Sequence, residues 1–545
     1  MDDFPVPWTS PDSNAQAPMT LQDLKLQAMS YSLRSKPSWW TKYKDETIRS
    51  KWKAEALAAP VEGDKILEPE VEYILNELAG FEKMRDEETG IQQSCYPRIY
   101  ESDTLIPAEL LDRLKAAVKA LEDVPEAQKD WHPRSDGQVL DLVHPSLYPI
   151  VYGRTLRYPE GVKPDERKLE GFQPITAPNS SVTPGEDWSF SGKFAWLSTD
   201  FKITEDGSSA KAVSYINNLH PSNTELYSII EGLVARFSFL FDRVLTDLIC
   251  YEESQILRIN DGYDFKDDDP EKPEQQEGEP DEEYEVRVDS WNMARPIDLP
   301  TVPTDGYTSD ISNRSKSYTI RGKEVQVIVK LANIHLTPEK PVYPGGSWHV
   351  EGMANERIIS SGIYYYDSEN ITDSELQFRT VVSSDDLSID QDDTLGVMRV
   401  WGLKRHGPAN QRVGATPTPA GRCLAFPNIY QHKVSPFELA DKTKPGHRKI
   451  VALFLLDPEH PRFSTTDIPP QQAEWYEVAM QQASQTSHFR KLPAEIMKEI
   501  TRQLPNLMTL EEAKKYRLEL MDERTAFVDT QDENYFASEF NFCEH

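Results

Sequence analysis

Cysteine is scarce in this chain: Cys95, Cys250, Cys423 and Cys543 are the only four in 545 residues, and none forms a Cys-x-x-Cys pair. That excludes a cysteine-based zinc site and a disulfide framework, and it suits a reducing compartment. Long apolar runs are missing too, since no stretch approaches the roughly 18 apolar residues of a membrane-spanning helix. The opening Met1-Asp2-Asp3-Phe4-Pro5 has neither a positive leader nor an apolar core, so it does not read as a signal peptide. Basic residues are few, with 59 Lys and Arg against 91 Asp and Glu, a formal charge of −32. Such a field repels phosphate backbones, and the sequence offers no basic run to offset it. The expectation is a soluble, cytoplasmic protein with neither membrane nor nucleic acid as partner; composition sets no oligomeric state.

What is present describes a large folded chain. Hydrophobic residues make up 38%, and 54 residues are aromatic, enough for a sizeable core and more than one structural unit. Residues 1–140 read as a helical region. Its first 20 residues, rich in Pro and Ser, suggest a loose arm. Thr20 with Asp23 then resembles a capping pair, and helical spacing follows at 21–29, 39–52, 68–83 and 107–121, with Pro107 suited to a first turn. Residues 141–320 mix short strands such as 194–198 with a strong helix at 225–241. Within them 261–287 is an acidic loop: Asp264 to Glu285 holds twelve acids, two bases and three prolines, as expected of a solvated insertion.

From 321 to 460 the pattern turns to strands. Val325, Val327, Val329 and Leu331 alternate, and candidates follow at 357–366, 377–382, 395–401, 422–426, 430–434 and 448–456 between Gly, Pro, Asp and Asn clusters. The predicted class is α+β, with a double-stranded β-helix (jelly roll) core flanked by N- and C-terminal helices. Residues 461–545 return to helix, most clearly after the capping box Thr509-Leu510-Glu511-Glu512.

Inside the strand region stand Trp348-His349-Val350-Glu351, then His432, 81 residues after Glu351, then Arg448. Residues two apart on an extended segment share a face, so His349 and Glu351 can reach one ion while Val350 packs away. Two imidazoles and one carboxylate suit iron(II) and leave positions open for a co-substrate and oxygen. A His-x-Glu pair alone is common; the weight rests on its place after the turn Pro344-Gly345-Gly346 and on His432 in a later strand. His144 and His220 each precede Pro and read as turn histidines, and His335 as a neighbour behind the motif. Arg448 begins the alternation Ile450, Ala452, Phe454, Leu456 into an apolar interior, where a charged head needs a partner. That partner is either an internal acid or a carboxylate-bearing co-substrate, which guanidinium grips in a two-bond fork.

These residues, with the stretch 421–434 containing Phe426-Pro427-Asn428 and Gln431-His432-Lys433-Val434, and with Val451-Ala452-Leu453-Phe454 after Arg448, resemble the 2-oxoglutarate- and iron(II)-dependent dioxygenases. The likeness is closest to the prolyl-hydroxylase-like branch and spans 325–457. It implies His349, Glu351 and His432 as iron ligands and Arg448 as the holder of the far carboxylate of 2-oxoglutarate, with Lys330 and Lys404 next in line. Two departures stand out. Glu351 replaces the commoner Asp, and the gap from His432 to Arg448 is long, with Lys442-Thr443-Lys444-Pro445-Gly446 as a loop. Three further phrases, Lys36-Pro37-Ser38-Trp39-Trp40, Val143-His144-Pro145-Ser146 and Ser214-Tyr215-Ile216-Asn217-Asn218-Leu219-His220-Pro221, resemble a mainly fungal family known only as a domain of unknown function, and that likeness covers nearly the whole chain.

The resemblance implies an enzyme that hydroxylates or desaturates a small metabolite or amino-acid-like molecule with O2, while 2-oxoglutarate is decarboxylated to succinate. Glu351 in the carboxylate position disfavours halogenation. Asn333, on the preceding strand, is the expected second contact for the co-substrate. Tyr343, Tyr364 and Trp401 are the expected substrate contacts, Tyr364 and Tyr366 sharing a face from which Tyr365 points away. The alternatives are a protein or peptide hydroxylase, a cupin-like enzyme that uses the same metal without 2-oxoglutarate, and a non-catalytic β-helix scaffold.

Overall fold

Helices occupy both ends of the chain and antiparallel strands its centre in the computed structural model, which describes residues 4–8, 16–60, 65–161, 171–178, 187–259, 263–265, 271–383, 387, 394–486, 493, 495, 496, 499, 504 and 506–537. The helices that bear on the site are α1 (Leu21–Arg34), α2 (Glu68–Met84), α3 (Ala108–Glu122), α4 (Thr224–Ile249), α5 (Thr394–Trp401) and α6 (Leu510–Gln531). The strands that bear on it are β1 (Gln92–Gln93), β2 (Tyr100–Ser102), β3 (Val139–Val143), β4 (Thr199–Ile203), β5 (Ala210–Ala212), β6 (Glu324–Leu336), β7 (Val342–Tyr343), β8 (Ile358–Glu369), β9 (Glu375–Val381), β10 (Asn410–Pro417), β11 (Cys423–Pro427), β12 (Gln431–Val434), β13 (Phe437–Glu438) and β14 (Gly446–Leu456). A nine-stranded sheet runs β1-β2-β11-β8-β14-β6-β4-β5, with β3 also on β6; β10-β9-β12 form a smaller sheet, and β7 pairs with β13.

Helix starts follow from local chemistry. The Thr20 hydroxyl accepts the Asp23 N–H at 3.0 Å, and that of Thr509 accepts the Glu512 N–H at 3.2 Å, each satisfying a donor that a helix end leaves orphaned. Pro107 precedes α3, where its missing N–H is no loss.

The large sheet has two working faces. On one, α4 lies so close that a Cβ on Gly362 would stand 2.6 Å from Phe237 Cδ1; Gly is needed there for clearance. On the other, Phe426 of β11 meets Phe378 of β9, ring centroids 5.1 Å apart, so the two sheets share an aromatic core. Side chains opposite one another in a ladder share a face. Register therefore places Arg448, Ile450, Ala452 and Phe454 of β14 with Ile334, Ala332, Lys330 and Ile328 of β6 on the side of the small sheet, and Lys449, Val451 and Leu453 on the helix side.

Three expectations change. Residues 394–401 form helix α5, not a strand, because Val397, Val400 and Trp401 bury at helical spacing; β10, which the sequence did not announce, takes a place in the small sheet. The N-terminal arm is not loose where it is described: Phe4, Val6 and Trp8 are buried, and the Phe4 ring meets Tyr318 edge-on at 5.2 Å. The acidic insertion is helical from Asp281 to Ala294, where Asp281, Glu282 and Glu283 occupy the first turn and favour the positive end of the helix dipole. Of 261–287, residues 261, 262 and 266–270 lie outside the described ones. Among the described residues, no helix is long and apolar enough to cross a membrane.

Gly362→Ala is expected to destabilise the protein by about 1–3 kcal/mol, the usual cost of overpacking a filled core. Phe237→Leu in the same chain should recover part of it, a coupling measurable in a chemical-denaturation double-mutant cycle.

Candidate metal centre

The turn Pro344-Gly345-Gly346 delivers the His-x-Glu segment to the small sheet. Gly345 has a φ of +89°, and a Cβ there would stand 2.8 Å from the Val434 carbonyl oxygen, so only Gly passes. The Gly346 N–H donates to that same oxygen at 3.0 Å. His349 and His432 then exchange backbone hydrogen bonds, N–H to O=C, at 3.2 and 3.0 Å. This bridge extends the small sheet by one register position and sets the two rings with centroids 4.4 Å apart. Glu351 Oε1 lies 3.5 Å from His432 Nε2 and 3.7 Å from His349 Nε2. One ligand atom from each of the three falls within 4.8 Å of the others.

Behind the group, two supports hold it. Val350 packs away from the ligands, among Met353, Val381, Phe527, Tyr535 and Phe536. Asn428 acts as a surrogate strand. Its Oδ1 accepts the Glu351 N–H at 2.8 Å, while its Nδ2 donates to the carbonyls of Glu351 and Ile358 at 2.8 and 3.0 Å. The side chain of His432 is 4% exposed, that of Glu351 16% and that of His349 33%, so the group opens to solvent on the His349 side.

The electrostatics suit a cation. Burial alone would raise the Glu351 carboxyl, but the imidazoles of His349 and His432 hold it well below the usual carboxylate range. Burial and the charge of His349 lower His432, which is therefore neutral near pH 7. For His349, burial is outweighed by Glu351, which raises its pKa. Nδ1 of His349 faces the Ser347 carbonyl oxygen at 2.9 Å, leaving Nε2 toward Glu351.

Arg448 lies on the same side of the large sheet as Phe426, which contacts His432 with ring centroids 4.7 Å apart. It is 2% exposed, and among the described residues no carboxylate reaches it. Its Nε and Nη1 have no hydrogen-bond partner, nor does the Tyr365 hydroxyl. The guanidinium stands 4.6 Å from the Tyr365 ring centroid and 5.5 Å from that of Phe437. Burial lowers its pKa, and Tyr365 and Tyr343 oppose that shift. Lys330 shares this face, opposite Ala452. His447 and Lys449 face elsewhere, on Asp367 and Glu122.

Three expected contacts do not join the group. Asn333 faces the helices: its Nδ2 donates to Glu122 of α3 at 2.7 Å, and its Oδ1 accepts from the Tyr366 hydroxyl at 3.3 Å. Tyr364 lies opposite Val451, also on the helix side. The alternation of Tyr364, Tyr365 and Tyr366 was legible, but the inward member is Tyr365. Trp401 belongs to a separate cluster, its ring 5.7 Å from that of Tyr263. Tyr343 does stand beside Arg448, its ring 5.1 Å from Phe437. Neither Asn428 nor Tyr365 was an expected site residue; the signal for each was its neighbourhood, one four residues before His432 and the other inside an aromatic triplet.

A second group, His132, Asp141 and His144, also brings ligand atoms within 4.8 Å. His144 Nδ1 there accepts the Ser146 N–H at 3.2 Å, and the same contact recurs between Ser222 and His220 at 3.1 Å. Both histidines are turn residues, as their His-Pro context suggested.

The profile of a family described as "Protein of unknown function (DUF4246)" matches residues 68–479, and that of the DUF4246 N-terminal domain matches residues 1–55. No curated protein matches the chain. Among solved structures, a BsmA homologue from Methylobium petroleophilum is similar at 11% identity and a TM-score of 0.15, over 25% of this chain and 43% of that one. The Fe(II)/α-ketoglutarate-dependent dioxygenase TqaL is similar at 11% identity and a TM-score of 0.21, over 49% of this chain and 70% of that one. An oxalate decarboxylase from Lactobacillus farciminis follows at 13% identity and a TM-score of 0.12, over 41% and 56%. None of the three superposes closely enough to carry an argument about this chain.

Two outcomes test the geometry. Below the raised pKa of His349, cobalt(II) binding should release one proton and affinity should fall about tenfold per pH unit; calorimetry in buffers of different ionisation enthalpy counts that proton. Asn428→Ala should weaken cobalt(II) binding by about 10–100-fold, as the loss of a group that orients a ligand does, with a far smaller change in denaturation midpoint than in affinity.

Proposed function

The chain belongs to the DUF4246 family, and we propose that it is an iron(II)- and 2-oxoglutarate-dependent dioxygenase acting on a small molecule. The observation that carries this reading is Arg448: a guanidinium 2% exposed, without an acid partner among the described residues, on the same face as the aromatic contact of His432. A buried cation left alone is costly. A co-substrate carboxylate in a two-bond fork would relieve that cost, and the Tyr365 hydroxyl is placed to add a third contact.

His349, Glu351 and His432 fit the metal. Two imidazoles and a carboxylate match the donor set of mononuclear non-haem iron, and their ligand atoms converge already. When bound, iron(II) with 2-oxoglutarate would supply the oxidising chemistry, with succinate and carbon dioxide as co-products. The chain's own residues do the rest. Asn428 and the His349–His432 bridge fix ligand positions, Arg448 and Tyr365 orient the co-substrate, and Phe426 and Phe378 keep the space beside His432 dry. Tyr343, beside Arg448, is the one of the three expected substrate aromatics still placed to contribute.

Succinate release by the iron-loaded protein, measured across a panel of small metabolites, tests the assignment. His349→Ala should abolish it while the folded chain persists. Arg448→Ala should raise the apparent KM for 2-oxoglutarate by at least a hundredfold, since removing a buried charge-assisted contact costs about 3 kcal/mol or more. Succinate release that persists in His349→Ala, or an unchanged KM in Arg448→Ala, would remove the corresponding role.

A further inference from the structure

A chain of charge −32 nevertheless gathers three cations around one indole. Lys433 Nζ stands 4.8 Å from the Trp348 ring centroid, Arg379 Cζ 5.0 Å and Arg412 Cζ 5.9 Å. Arg379 pairs across β9 and β12 with Gln431 and across β9 and β10 with Arg412. Lys433, two residues on from Gln431, shares their side, while His432 between them faces the metal centre. The cationic cluster thus lies on the face of the small sheet that points away from the metal ligands.

Arg379 is satisfied there by Asp532 and Gln431. Arg412, which is exposed, and Lys433, which is half-buried, have neither an ion pair nor a side-chain hydrogen bond to another residue among those described, and Glu375, further along the same face, pairs with neither. Two like charges held together over a ring repel each other, and the indole face offsets only part of that. Beside them is a cavity of about 380 Å³, walled by Leu24, Ala28 and Tyr31 of α1 and by Trp348, Gln377 and Arg412. The Tyr31 hydroxyl is committed to Glu101 at 2.9 Å, so it presents ring to the cavity. The lining is apolar on the α1 side, and Arg412 is the cation that lines it on the Trp348 side.

We propose that this cavity is a binding site for a small organic anion, a carboxylate or phosphate on a compact apolar body. The anionic group sits against Arg412, with Lys433 adding its charge from beside the Trp348 ring, and the apolar body lies against Leu24, Ala28 and the Tyr31 ring. The site is distinct from the metal centre and does not rest on the iron reading.

The test uses the full chain labelled with 5-fluorotryptophan, with benzoate as the probe and benzamide as its uncharged counterpart. Of the 11 tryptophan resonances, the one missing in Trp348→Phe is that of Trp348. Benzoate should move it saturably, and benzamide should leave it in place. Arg412→Gln with Lys433→Gln should weaken the response at least tenfold, about 1.4 kcal/mol. Lys433→Gln alone, at a partly exposed position that the fold does not need, should weaken it in the same direction. A resonance that ignores benzoate, follows benzamide equally, or responds unchanged in the variants overturns the proposal.

Discussion

The reciprocal backbone bridge between His349 and His432 is the constraint on which the site depends. Its two hydrogen bonds, at 3.2 and 3.0 Å, join a segment that follows a glycine turn to a strand that lies more than eighty residues later. A side chain at the end of a flexible loop would have to be ordered each time it bound an ion. Here the ordering is done by the fold, through a bridge, the Gly346–Val434 contact and the amide of Asn428. Each of these satisfies backbone groups that would otherwise be buried without partners, and so the ligand positions are tied to the stability of the sheet itself.

Two buried arginines in this chain show opposite solutions to one problem. Arg258 is fully buried and meets Asp23 at 3.1 Å and Glu77 at 2.9 Å, with Gln27 Oε1 accepting from it at 2.8 Å. It is a structural tie between α1, α2 and the segment after α4. Arg448 is equally enclosed but has aromatic rings around it where Arg258 has carboxylates. Cation–π contact compensates less than a paired acid does. The same fold that supplies two acids to one guanidinium supplies none to the other among the described residues, and the proposed co-substrate carboxylate would take that place.

Much of this was legible in the sequence because its signals are local. The alternation in Val325–Leu331 and after Arg448 gave β6 and β14, and it fixed which residues of β14 share the Arg448 face. The same period-two logic separated Tyr365 from Tyr364 and Tyr366, yet it could not say which face looks toward helices, since that is decided by where α4 docks. Gly362, against Phe237, records that docking but reads in the sequence as an unremarkable strand glycine. Trp401 illustrates the other limit. A run of eight mostly apolar residues satisfies both periods, and burial of Val397, Val400 and Trp401 on one side chose the helix. The cations around Trp348 come from three separate strands, so no window of sequence shows a basic patch.

The second histidine group sharpens what distinguishes a metal centre from a hydrogen-bonded cluster. Burial pushes His144 down to about 3, so its ring is neutral. A neutral imidazole whose Nδ1 accepts the Ser146 N–H carries its proton on Nε2, the atom a metal would need. His132 already spends its Nδ1 on Asp141 Oδ2 at 2.8 Å, and Arg517, which grips Asp130 in a two-bond fork, brings Nη1 to 3.8 Å from that same oxygen. An ion there would have to displace that proton and stand close to the Arg517 cation. Around His349, Glu351 and His432 the arrangement is reversed: both Nε2 atoms turn toward one carboxylate oxygen, and the Ser347 carbonyl holds the His349 ring from its other nitrogen. Proximity of ligand atoms is the same in the two groups; what separates them is which nitrogen is left free.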